Sequence, residues 1–107
     1  MAWIYLVAAG LLEVVWALAL KRSHGFTELP ATLVFIIAIA ASMSLLALAL
    51  KGLPVGTGYA VWTGIGALGT AILGIVVLDE PASALRLTSL VFLALGIAGL
   101  GLSSATG

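Results

Sequence analysis

Glu13 is the residue through which this chain can do chemistry. It lies near the middle of an apolar run from Ala2 to Leu20 that contains no other charged side chain. About 19 residues at 1.5 Å rise each match roughly the thickness of a bilayer's hydrocarbon core. A carboxyl group at that depth costs about 3 kcal/mol or more, so such residues are retained for ion pathways, proton relays or substrate binding. Low-dielectric surroundings favour the protonated carboxyl and a bound cation favours the ionised one. One residue can therefore hold a proton or a cation, which is the minimum equipment for exchange. The competing reading is a structural carboxyl, neutral and hydrogen-bonded or paired to a cation. Pairing has no candidate, because Lys21, Arg22, Lys51 and Arg86 all fall at the ends of apolar runs.

Helical spacing sets Ala9 and Gly10 one turn before Glu13, and Trp16 and Ala17 one turn after it. The small residues predict room for a ligand, and the Trp16 indole offers a flat wall with an N–H donor. Trp16 lies too deep for an interfacial belt, a role that suits Trp3 and Tyr5. Further along, Tyr59 and Trp62 fall three apart on one helix face, followed by Thr63. The two rings can supply a hydroxyl, an N–H and π-faces to a cation, although aromatics at this spacing more often serve packing. Ser42 and Ser44 lie mid-run, where a serine ordinarily bonds a carbonyl of its own helix.

Gly64-Ile65-Gly66-Ala67-Leu68-Gly69 fits the G-x-G-x-x-G pattern in letters alone. A dinucleotide site needs a strand before it, a helix after it and an acidic residue about 20 positions on. This one lies inside an apolar run, so Gly64 and Gly66 predict a flexible point in a membrane helix. His24 is a lone loop histidine, and no metal-ligand spacing or cofactor motif is present.

These residues must be positioned by helices in a bilayer. Of 107 residues 64% are hydrophobic and 7% charged, with a mean hydropathy of +1.35; a soluble domain is about a quarter charged. The expectation is an all-α integral membrane protein. Four apolar runs at about 2–20, 31–50, 55–78 and 84–102 predict one four-helix transmembrane domain, 1–107, with short loops and antiparallel neighbours. The first run lacks a basic leader, carries a carboxylate and is followed by Lys21 and Arg22, so it reads as a retained span. Pro30, Pro54 and Ser83 mark helix starts. A net charge of zero gives no hint of nucleic acid, and the absence of cysteine excludes disulfides and thiolate metal sites. The loop charges are nearly balanced, which allows insertion in both orientations. Four helices are few to enclose a path around Glu13, so an oligomer is expected. Gly96 and Gly99, like Gly66, Thr70 and Gly74, are small residues at spacings that permit close helix contact.

The motif Gly10-Leu11-Leu12-Glu13-Val14-Val15-Trp16-Ala17, then Leu20-Lys21 and Gly25-Phe26-Thr27, resembles the first span and loop of the small multidrug resistance transporters. Leu53-Pro54-Val55-Gly56-Thr57 and Tyr59-Ala60-Val61-Trp62-Thr63-Gly64-Ile65-Gly66-Ala67 are similar to the third span of that family. The likeness covers essentially the whole chain. Trp16-Ala17 and Trp62-Thr63-Gly64 resemble the guanidinium-exporter subtype more than the polyaromatic-cation subtype. Gly58 stands where that subtype commonly has Ala, and Gly101 where a Lys often ends the fourth span. The resemblance implies an antiparallel, dual-topology homodimer of the bacterial inner membrane that exchanges protons for guanidinium. By the same resemblance Glu13 carries proton and substrate. Trp16, Ser42, Tyr59 and Trp62 match the positions that line the site, Gly64 and Gly66 match the hinge, and Gly96 and Gly99 lie in the span that packs the dimer; Gly10 and Thr63, next to these residues in sequence, are further binding candidates. A quaternary-ammonium exporter of the same fold is the near alternative. A non-transporting subunit or a rotor-like proton carrier is the distant one, although a rotor needs no aromatic pocket such as Tyr59 and Trp62. No nucleophile–base pair suggests an enzyme.

Overall fold

The computed structural model describes residues 1–106, and the side chains of residues 1–103. Its helices are α1 (Ala2–Arg22), α2 (Leu29–Ala49), α3 (Val55–Val77) and α4 (Ala84–Thr106). Each contains a stretch long and apolar enough to cross a membrane. The ends follow local chemistry. α1 takes in Lys21 and Arg22, whose charges complement the carbonyl end of the helix dipole. Pro30 falls in the first turn of α2, where a missing N–H is not needed, and Pro54 precedes α3. Ser83 caps α4, its Oγ accepting the Arg86 N–H at 3.2 Å.

The turns between helices are held by few groups. After α1 the chain passes through left-handed conformations at His24, Gly25 and Phe26. The buried Ser23 fixes this turn, its hydroxyl donating to the Leu20 carbonyl at 2.7 Å and accepting the Phe26 N–H at 3.2 Å. After α3, Asp79 takes φ 57°, a conformation that aspartate adopts more readily than most residues. This reversal returns the Glu80 N–H to the Gly74 carbonyl at 3.0 Å, an acceptor it shares with the Leu78 N–H at 3.1 Å.

α1 lies between α2 and α3, and α4 packs chiefly on α3. The result is a slab of 45 × 35 × 16 Å, little thicker than one layer of helices. Its core is where the first three helices meet, at Leu6, Ala9, Leu46, Ala49, Val61 and Trp62, with Ile97 and Leu100 of α4 against its edge. No residue of α4 from 84 to 103 is fully buried. Large apolar side chains such as Ile37, Val76 and Phe92 are exposed on the outside, as a lipid solvent requires.

Candidate functional site

Three helices are joined at one point by a buried polar chain. The Ser42 hydroxyl of α2 donates to the Ala9 carbonyl of α1 at 2.7 Å, and the Trp62 indole N–H of α3 donates to the Ser42 oxygen at 3.1 Å. Helical geometry makes the Ala9 carbonyl the acceptor for the N–H of residue 13 as well. Ser42 thus grips the turn that carries Glu13. Ser44 behaves as expected of a mid-membrane serine and donates to Ala40 in its own helix at 2.8 Å, but Ser42 does not. Ser42→Ala leaves the Trp62 N–H buried without an acceptor, at a cost of about 0.5–2 kcal/mol. A lowered thermal midpoint in detergent is the expected result.

Around this chain stand the other aromatics. The Tyr59 and Trp62 rings lie 5.5 Å apart, tilted by 52°, and Tyr59 is 56% exposed. Trp16 sets its ring edge-on to Phe35 of α2 at 5.9 Å. Its indole N–H is buried and, among the described residues, has no hydrogen-bond partner.

Glu13 points the other way, against α3. A Cβ built on Gly66 would overlap the Glu13 carboxyl group, so the carboxylate occupies the space that glycine leaves. Glu13 Oε1 and Thr70 Oγ1 are both buried without partners among the described residues. An unsatisfied buried polar atom costs about 1–3 kcal/mol, and native structures keep few of them. Both residues line one crevice of about 350 Å³, bordered also by Ala17, Lys21, Glu80 and Arg86. Two roomier grooves of about 470 Å³ each are lined by apolar side chains and Arg22, with no carboxylate to attract a cation. Among the described residues no group of three or more His, Asp or Glu side chains could hold a metal ion.

The remaining candidates separate. Gly10 does not open space for a ligand, because Ile65 fills it; an added Cβ would come within 2.7 Å of that side chain. Thr63 is exposed on α3, outside the crevice. The helix α3 continues unbroken through the glycine motif. Each glycine there meets a different neighbour: Gly64 meets Ile97 of α4, Gly66 meets Glu13, and Gly69 meets Val14. Gly96 and Gly99 face open space on α4. Sequence reasoning passed over Thr70, Glu80 and Arg86 as site residues. The four-residue spacing of Gly66, Thr70 and Gly74 was a usable signal for the first, since it sets all three on one face.

The comparisons with known proteins agree with one another. Residues 1–100 match the model of a family described as Small Multidrug Resistance protein. The chain is 62% identical over 104 residues to a protein of Yersinia pseudotuberculosis named guanidinium exporter, covering 97% of this chain and 100% of the relative. Proteins of the same name from Escherichia coli K12 and Proteus vulgaris are 60% and 56% identical over 104 residues. These alignments cover 97% of this chain and 99% and 100% of the relatives.

Proposed function

The chain belongs to the small multidrug resistance family, and on that premise we propose that it is a proton-coupled exporter of guanidinium ions. It is a multi-pass membrane protein, and we assign it, as one four-helix transmembrane domain, to the bacterial inner membrane. The observation that carries the reading is Glu13. Its carboxyl sits at mid-span with a buried oxygen that has no partner among the described residues, in a crevice that reaches the charged residues around the last turn. Planar guanidinium meets a carboxylate as a two-pronged fork, a stronger match than a point charge. The relatives' shared name points to the same ion.

We assign the working unit to an antiparallel, dual-topology homodimer. The slab gives Glu13 one protein wall, and a second copy supplies the other while shielding the carboxylate from lipid. The open Gly96 and Gly99 face of α4 permits the close helix approach such a contact uses. Two Glu13 carboxyls in one pocket bind protons as a pair. Coupling follows from competition, because a pocket that holds protons or the cation, and not both, must release one to take the other. Trp16, whose N–H has no partner among the described residues, and Tyr59 are the groups we assign to the substrate and the partner's carboxylate. Ser42 and Trp62 hold the geometry, Gly10 seats α1 on α3, and Thr63 faces the second copy. Gly64 and Gly66 are assigned to the exchange of conformations.

The test is uptake of guanidinium into proteoliposomes under an imposed pH gradient. Uptake driven by the gradient, and largely insensitive to a large excess of tetraethylammonium, is expected. The aromatic pair Tyr59 and Trp62 would also receive a quaternary ammonium by cation–π contact; strong competition by tetraethylammonium would move the assignment to that class. Uptake indifferent to the gradient would remove the exporter reading.

A further inference from the structure

The crevice that ends at Glu13 begins at a second carboxylate. Glu80 forms an ion pair with Arg86 six positions on, with side chains 35% and 32% exposed, so the pair stands where water reaches the crevice. Glu80 is held firmly there. Its N–H is tied to the Gly74 carbonyl, and its carboxyl lies against Gly74, where an added Cβ would come within 2.5 Å of Oε1. Gly74 thus does for Glu80 what Gly66 does for Glu13. The two glycines are two helical turns apart on one face of α3, about 12 Å, and Thr70 lies midway, its buried hydroxyl without a partner among the described residues. Lys21, from α1, borders the same crevice.

The group bound to Glu80 in this structure is a guanidinium, that of Arg86. Resting on the function assigned above, we propose that Glu80 is an outer binding site for the transported guanidinium, which displaces the Arg86 side chain there and passes Thr70 to reach Glu13. An ion pair whose side chains are about one-third exposed is weak, so a free ion of the same chemistry can compete with it. An outer site must also be weak, or it would trap its cargo. Lys21 and Arg86 offset the charges of Glu80 and an ionised Glu13, so the crevice is formally neutral then and positive while Glu13 holds a proton. A cation is then admitted only to a crevice that has released its protons.

Calorimetric titration of the purified, detergent-solubilised protein with guanidinium chloride tests this. Removing the internal competitor by Arg86→Gln is expected to strengthen guanidinium binding at a second class of sites, weaker in the unaltered protein and absent from the double variant Glu80→Gln/Arg86→Gln. In proteoliposomes Glu80→Gln is expected to raise KM for guanidinium about fivefold, the size of a partly exposed ion pair, with kcat changed less than twofold. A structural defect would instead lower kcat. The Arg86→Gln titration stands independently of how well Glu80→Gln folds. An unchanged titration in Arg86→Gln, or an unchanged KM in Glu80→Gln while the unaltered protein transports, overturns the outer site alone. Absence of guanidinium transport by the unaltered protein removes this proposal together with the exporter reading.

Discussion

Glu13→Gln is expected to lower guanidinium binding and gradient-driven uptake by about 100-fold, equivalent to about 3 kcal/mol for losing a charge-assisted bidentate contact. The two side chains have nearly the same shape, and Glu13 Oε1 has no partner among the described residues that the change would abandon. Among the described residues Oε1 therefore gives up no hydrogen bond. The fold sheds a carboxyl whose presence in the span is costly. Thermal stability in detergent should be unchanged or higher, while binding falls. A structural carboxyl predicts the reverse, a destabilised protein that still binds. In the unaltered protein proton and cation compete for one carboxyl group, so apparent guanidinium affinity must fall as pH is lowered. Tryptophan fluorescence is a suitable readout, since Trp16 and Trp62 lie on the turns flanking the site. Affinity independent of pH, or gradient-driven uptake persisting in Glu13→Gln, would remove Glu13 from the exchange.

Much of this arrangement is legible in the sequence because membrane helices announce themselves by length and apolarity. The mid-span position of Glu13 and the helix starts at Pro30, Pro54 and Ser83 are local signals. What is not local is less readable. Ser42 and Ser44 look alike in sequence, yet they point to opposite sides of α2, and only Ser42 finds another helix. Gly10 next to a carboxylate suggests space, but the neighbouring Ile65 consumes it. The glycines of α3 suggest a flexible point. In the folded chain they are separate contact positions, each shaped by what lies opposite. The left-handed turn at Asp79 brings Glu80 back against Gly74 of α3, and Arg86 in the first turns of α4 meets it there. No periodicity reports such a meeting.

Gly66→Ala is expected to reduce guanidinium binding nearly as far as Glu13→Gln does, and without unfolding the protein. A methyl group at this position overlaps the Cγ, Cδ and Oε1 atoms of Glu13, so the whole side chain must leave its present rotamer. The carboxylate then no longer faces the crevice. Helix propensity moves the other way, since alanine is favoured over glycine in a helix interior by about 1 kcal/mol. Function and stability should consequently change in opposite senses. Gly64→Ala is the control two residues away. Its methyl group meets the Cδ1 and Cγ1 atoms of Ile97 at 2.8 Å, the outer part of a side chain on the peripheral helix α4, which can yield. Binding near that of the unaltered protein is expected there. The comparison also separates two roles for the glycine motif. If its purpose were flexibility alone, both substitutions would slow uptake and leave equilibrium binding intact. Lost binding in Gly66→Ala with retained binding in Gly64→Ala would mean that Gly66 exists to seat the Glu13 carboxylate. Equal binding in both would mean that the carboxylate is not held against α3 when it takes its cargo.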